Sequence, residues 1–309
     1  MYSTHSPTKK HIASLRKIAK NHKIIVANSE KSAMEATRNA KIIFGHRYLR
    51  QCLPYAKNLK WVQTTAQGID RLPHEQLKAS GIMLSRTTVA SKAIARYAYT
   101  LAWALVKRLP GIINAQVKRI WVHNAVIPLP EPKTALIVGF GEIGKNIALL
   151  LKKDGLTVWA VKRNPGTLPK KGCDRLFTNN SWKKELHKVD ICFITLPLTN
   201  TTRNSFDDVA LRRLPAHAII VDISHGGILD GKTLVKMLRT NRLGGAALDV
   251  MSAEPPKHHD KIWSVPNLLI SPHIAAHYHG RTEDIEFFFE EQLRRYLKNG
   301  KVKNIVDWE

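Results

Sequence analysis

The stretch Val138–Gly144, VGFGEIG, constrains this chain more than any other segment. It stands between an apolar run, Thr134–Gly139, and a segment of helical spacing, Glu142–Lys153, where Ile143, Ile147, Leu150 and Leu151 share one side. Three glycines in a strand–turn–helix setting meet three separate needs. Gly139 permits the tight turn, Gly141 lets backbone approach a pyrophosphate, and Gly144 lets helix and strand pack closely. The free N–H groups and the positive end of the helix dipole then face the phosphates. Gly139, Phe140, Gly141, Glu142, Ile143 and Gly144 are the expected dinucleotide-binding residues.

More apolar runs follow at Leu156–Val161, Asp190–Thr195, Ala218–Ile223, Gly244–Leu248 and Leu268–Ile270, with helical stretches between several of them. Apolar strands alternating with helices predict a parallel sheet covered on both faces, here a doubly wound Rossmann-type cofactor domain. The N-terminal part carries a weaker version, at Lys23–Ala27, Ala40–Phe44, Leu59–Thr64 and Ile82–Leu84. It predicts a smaller, flavodoxin-like α/β substrate domain. A long helix from Ala90 to Leu109 links the two, and a last helix, Thr282–Lys298, returns to the first. The expected organisation is a substrate domain of residues 1–89 and 275–309 around a cofactor domain of residues 90–274; 309 residues suffice for both.

The second strand of the cofactor domain ends in Lys162-Arg163-Asn164. An NAD-selective site places a carboxylate here to bond the ribose 2′-hydroxyl. Two cations attract a 2′-phosphate instead, and guanidinium grips it in two places. The sequence predicts NADP(H) in preference to NAD(H), read by Lys162 and Arg163.

Composition narrows the remaining classes. Hydrophobic residues are 44% of the chain, enough for a sizeable core. No apolar run approaches the roughly 18 residues needed to cross a membrane. Cys52, Cys173 and Cys192 have no paired spacing, which argues against disulfides and zinc and fits a reducing, cytoplasmic setting. The net charge of +25 comes from 49 basic and 24 acidic residues. The basic residues fall mostly in scattered pairs such as Lys152-Lys153 and Arg212-Arg213, the pattern of a solvated surface. No zinc-finger spacing or ribonucleoprotein motif accompanies them, so no nucleic-acid partner is expected. No acidic residue precedes Glu30, and Ile12, Leu15 and Ile18 form a partial apolar stripe among Lys9, Lys10, Arg16, Lys17 and Lys20. That is either a targeting segment or the first surface helix, opened by Ser6-Pro7 or Thr8; the helix is the favoured reading.

Five ordered segments share a resemblance: WVQTTAQGID (Trp61–Asp70), TLPLTNTT (Thr195–Thr202), GAALDVMSAEPP (Gly245–Pro256), SPHIAA (Ser271–Ala276) and the closing LRRYLKNGKVKNIVD. Together they make nearly the whole chain similar to the D-isomer-specific 2-hydroxyacid dehydrogenases. The glyoxylate/hydroxypyruvate reductase branch, whose members often prefer NADPH, is the most similar. The resemblance implies that backbone amides near Gln67 and Gly68 hold the substrate carboxylate. It implies that Leu196, Pro197, Thr202 and Ile223 line the cofactor, that Asp249 lies on the nicotinamide side, and that Glu254 and His273 are catalytic. The implied reaction is reduction of a small 2-oxoacid, such as glyoxylate or hydroxypyruvate, to the D-2-hydroxyacid. Hydride from C4 of the nicotinamide attacks the keto carbon, and His273 gives the proton. Glu254, in contact with His273, would fix the ring and favour the imidazolium. The family also implies a homodimer through the cofactor domain, and a cleft that closes on hinges near Thr88–Ala90 and Ile270–Ala275.

One residue breaks the pattern. The family's strand before the fourth motif ends N-V-S-R-G or similar, and its arginine grips the substrate carboxylate and polarises the carbonyl. Here the text is D-I-S-H-G, with His225 in the arginine's place. Guanidinium is always charged and makes two parallel bonds to a carboxylate; imidazole offers at most one donor on that side. Losing such a donor costs on the order of 2–5 kcal/mol. Three consequences stay open. His225 acts as an imidazolium, with altered substrate choice or a more acidic pH optimum. Another cation takes over. Or the chain binds NADP(H) with little dehydrogenase activity. The retained Glu254 and His273 argue for activity. Two further departures are Arg96, where the family commonly has glutamate, and MYSTHSPTKK, which lacks the family's opening apolar strand. Either the small domain lacks that strand or the true start lies upstream.

Overall fold

The structure, a computed structural model, describes residues 7–70, 72–122, 131–164, 172–178 and 180–308. It divides into two compact units, one of residues up to Ala90 together with those from Tyr278, the other Ser91–His277.

The smaller unit opens with helix α1 (Lys9–Ile18). The Thr8 hydroxyl caps it, accepting a hydrogen bond from the His11 N–H at 3.1 Å. Leu15 on this helix is fully buried, so the basic N-terminal segment is an integral helix of the unit. The question of an opening strand falls on residues 1–6, outside the described residues. Helices α2 (Glu30–Thr37), α3 (Leu49–Cys52) and α4 (His74–Ser80) alternate with strands β1 (Ile42–Phe44), β2 (Trp61–Gln63) and β3 (Met83–Ser85). These three strands pair in parallel in the order β1-β2-β3. The expected strand Lys23–Ala27 is not one. Its β-branched residues have the propensity, but a strand is realised only against a partner. The described strands pair among themselves without it, and Ile25 and Val26 are each 38% exposed.

The larger unit begins with α5 (Ser91–Val106) and α6 (Leu109–Val117). The sequence predicts one helix here from Ala90 to Leu109. It is broken because Arg108 adopts a left-handed φ of 57°, and Pro110 suits the first turn of a new helix. Strands β4 (Thr134–Val138), β5 (Thr157–Val161), β6 (Arg175–Phe177), β7 (Ile191–Ile194), β8 (Ile219–Asp222), β9 (Gly245–Leu248) and β10 (Leu268–Ile270) follow, with helices α7 (Glu142–Lys153), α8 (Asp208–Arg213) and α9 (Gly231–Arg239) between them. All pairings are parallel, in the order β10-β9-β8-β7-β4-β5-β6. Strand order therefore reverses between β4 and β7, and in open sheets of this type ligands bind outside the carboxyl ends at that switch. Every residue of β7, β8 and β9 is buried, as expected of strands covered on both faces. Strand β6 was not anticipated, because three residues carry no readable period.

The chain then returns to the smaller unit with α10 (Arg281–Asn299). Its Phe289 stacks on Phe44 with ring centroids 4.1 Å apart, in a cluster with Leu15, Trp61, Ile285 and Leu293. Glu286, 4% exposed, accepts from both the Thr8 N–H and the Thr8 hydroxyl at 2.8 Å, which ties the cap of α1 to α10.

Candidate active site

The glycine loop stands at the switch point of the larger unit. Gly139 has φ 111°, and a Cβ there would lie 2.8 Å from the Thr195 carbonyl carbon. A Cβ on Gly144 would lie 2.4 Å from the Gly139 oxygen. Both glycines are thus required by the closeness of β4, β7 and α7. Gly141 differs: a Cβ there would meet no atom within 4 Å. Gly141 is also the N-cap of α7 and places no side chain on the helix N–H groups. The loop's outer side and these free donors fit a pyrophosphate. Phe140 is 2% exposed and donates its N–H to the Val161 oxygen, so it anchors the loop to the sheet. Ile143 is half-buried, and Glu142 pairs with Lys145 at 3.0 Å.

Lys162 and Arg163 follow β5 beside this loop, since the Val161 oxygen accepts from the N–H groups of Gly139 and Phe140 at 3.1 and 3.0 Å. Lys162 is half-buried and Arg163 exposed. On the other side of β4, Leu196 and Pro197 leave β7. The Thr202 hydroxyl folds this segment by donating to the Pro197 oxygen at 2.6 Å. Ile223, 7% exposed, donates its N–H to the Ile194 oxygen at 3.2 Å, so its backbone still belongs to the sheet.

The three candidate catalytic residues meet at the β8–β10 end. His273 Nδ1 lies 2.9 Å from Glu254 Oε2. Glu254 Oε1 accepts from the Met251 N–H at 2.9 Å, which fixes the carboxylate on both sides. The His225 and His273 rings lie 6.5 Å apart between centroids. His225 is held in place by its neighbour: a Cβ on Gly226 would lie 1.9 Å from the Met251 oxygen, so the two loops pack backbone on backbone. Gln67 and Gly68 lie in the smaller unit, in the loop that follows β2.

Asp249 does more than the resemblance implies. It is 3% exposed and accepts from the Ser271 hydroxyl at 2.5 Å and from the Ile274 and Ala275 N–H groups at 3.0 Å. It therefore pins both flanks of His273, whose own φ of 57° is left-handed. Tyr97 extends the network, its hydroxyl 2.8 Å from Ser271 Oγ. Sequence reasoning missed Ser271 and Tyr97, since the contact spans positions 97 and 271. It also missed Asp222, the last residue of β8. Asp222 is 2% exposed, and burial pushes its carboxyl up to about 7, against the pull of the Ser224 N–H and hydroxyl on Oδ1 and with a further push from Asp249. Burial likewise pushes the Cys192 thiol up, marking it as an inert core residue. Among the described residues no group of His, Cys, Asp or Glu is arranged to hold a metal ion.

Fold and site together define a nicotinamide-dinucleotide oxidoreductase of the doubly wound type. The family model for the NAD binding domain of D-isomer specific 2-hydroxyacid dehydrogenases matches residues 99–275, and the chain belongs to that family. A glyoxylate reductase of Thermococcus kodakarensis is 28% identical over 256 residues, covering 80% of this chain and 76% of its own. A D-isomer specific 2-hydroxyacid dehydrogenase of Xanthobacter autotrophicus, solved with NADPH, shares the fold at a TM-score of 0.82 and 21% identity, covering 99% of this chain and 97% of its own. An NADPH-dependent glyoxylate/hydroxypyruvate reductase of Sinorhizobium meliloti, solved with NADP and malonate, does so at a TM-score of 0.77 and 20% identity, with 99% and 96% covered.

Proposed function

We propose that this chain reduces a small 2-oxoacid of the glyoxylate or hydroxypyruvate type to the D-2-hydroxyacid, with NADPH as reductant. The observation that carries the reading is the 2.9 Å bond between Glu254 and His273 on the carboxyl side of a dinucleotide fold. With Nδ1 donating to Glu254, the imidazole presents Nε2 for proton transfer. The Gly139–Gly144 loop would hold the cofactor's pyrophosphate, and the reduced cofactor, when bound, would supply the hydride. His273 Nε2 delivers the proton to the carbonyl oxygen as the alkoxide develops. His225, as an imidazolium, polarises that carbonyl; Asp249 holds the loop that aims His273. Backbone amides at Gln67 and Gly68 receive the carboxylate. Leu196, Pro197, Thr202 and Ile223 bound the cofactor, and Lys162 and Arg163 favour NADP(H) over NAD(H).

In this reading the substrate domain is residues 1–89 and 275–309 and the cofactor domain 90–274. Free cysteines support a reducing, cytoplasmic compartment. The exposed apolar surface of Val117 (78%) and Trp121 (82%), with Ile112 and Ile113, supports a homodimer through the larger unit. The second reading, an NADP(H)-binding module with little turnover, rests on His225.

NADPH and NADH oxidation at 340 nm, with glyoxylate, hydroxypyruvate and pyruvate from pH 5 to 8, tests the proposal. NADPH-preferring turnover is expected, lowered roughly 10²–10⁴-fold in His273→Gln. NADPH binding without turnover at any pH would sink the reductase reading and leave the binding module.

A further inference from the structure

The smaller unit carries a groove that the proposed chemistry does not touch. It runs between α1 and α10 and is lined by Ser14, Lys17, Ile18, Arg294 and Leu297, with a volume of about 430 Å³. The two helices lie parallel: Thr8 meets Glu286, and His11 and Ser14 meet Glu290, so the contacts advance along both in step. Their carboxyl ends therefore point the same way. Charge changes along the pair. Helix α1 has no acidic residue, and the last acid of α10 is Glu291, after which come Arg294, Arg295 and Lys298. The α10 carboxylates that face α1 are taken up by Thr8, His11 and Ser14, the last donating to Glu290 Oε2 at 2.5 Å. Arg294 reaches Glu290 only at 3.5 Å, an exposed pair worth little. Lys17 and Lys298 are exposed and make no side-chain hydrogen bond or ion pair among the described residues. Apolar surface lies between these cations. Leu297 is 38% exposed, Ile18 is half-buried, and Phe287, 61% exposed, stands two turns before Arg294 on the same side of α10. Cations near a carboxyl end offset the helix dipole, which accounts for each of them singly. The dipole gives no reason for exposed apolar side chains among them.

We propose that the groove between α1 and α10 docks an acidic amphipathic helix of a partner protein. Lys17, Arg294 and Lys298 meet its carboxylates, and Ile18, Leu297 and Phe287 take its apolar stripe. The charge commits the surface to an anionic partner. The apolar floor commits it to a polypeptide, since a nucleic acid offers phosphates to the cations and leaves aliphatic side chains unused. The surface is independent of the reductase reading.

The test is fluorescence anisotropy of a labelled synthetic peptide titrated with the full chain. The probe is a helix with a leucine stripe flanked by glutamates, and its scramble has the same composition. Wild type binds the probe more tightly than the scramble, and more weakly as salt rises. Reversing two groove charges, Lys17→Glu with Lys298→Glu, weakens binding by at least about tenfold. Leu297→Ser also weakens it. The control pair Lys57→Glu with Lys78→Glu, exposed lysines of the same unit that do not line the groove, keeps wild-type affinity. If circular dichroism shows the groove pair unfolding early, Lys17→Gln with Lys298→Gln decides in its place. A groove pair that binds like wild type, or no more weakly than the control pair, overturns the site. So does a probe bound no more tightly than its scramble. A single-stranded oligonucleotide that outcompetes the probe, and is itself released by the groove pair, overturns the peptide and makes the partner a nucleic acid.

Discussion

The larger unit has two strand-to-loop turns that look alike on paper. After β4 the chain reads Gly139–Gly144; after β8 it reads Ile223–Gly227. Both end buried strands, and both contain glycines that backbone contacts make obligatory: Gly144 against the Gly139 oxygen, Gly226 against the Met251 oxygen. They differ in what the side chains do. On the proposed reading the first turn works through backbone N–H groups, so its function follows from the spacing of its glycines. The second, on the proposed reading, works through one side chain, His225, on a loop whose strand ends in the buried Asp222. The same backbone turn can carry an arginine or a histidine. A turn's shape therefore predicts a phosphate site well and a carbonyl-polarising site poorly.

The largest expected effect breaks the first turn. Gly144→Val forces a branched side chain into a space where even a Cβ would lie 2.4 Å from backbone. It should abolish NADPH binding and cost roughly 3 kcal/mol or more in urea melts, an overpacking penalty at its upper end. An unchanged NADPH affinity would mean that α7 does not meet the phosphates.

Asp222→Asn sharpens the contrast at the second turn. The buried carboxyl is pushed up to about 7, whereas in an unfolded chain it ionises near its ordinary value. Its folded pKa is raised, so stability is greatest below the unfolded value, falls as pH rises toward 7 and is flat above. Asparagine keeps an oxygen for the Ser224 donors and removes the charge. It should stabilise the protein by about 2–4 kcal/mol at pH 8 and hardly at all at pH 4. Equal shifts at both pH values would show that burial does not raise the Asp222 pKa above its unfolded value.

The same division explains what the sequence disclosed. The strands β4, β5, β7, β8, β9 and β10 were legible because each is an apolar run bounded by turns, and their ends moved by a residue at most. Glu254 and His273 were legible as motif residues, and the structure brings them within 2.9 Å. Lys23–Ala27 misled because propensity says nothing about a pairing partner. Ser271 and Tyr97 stayed hidden because their significance lies in a contact between distant segments. Asp222 stayed hidden because its charge matters only once burial is known.

The most direct measurement is kcat/KM for NADPH-dependent glyoxylate reduction by wild type and His225→Arg at pH 5 and pH 8. If His225 acts as an imidazolium, wild type falls toward pH 8 while the arginine variant does not. The variant should then gain at least about tenfold at pH 8, the lower part of the range for a charged donor, and much less at pH 5. The same ratio at both pH values, or a variant slower than wild type throughout, would contradict the account.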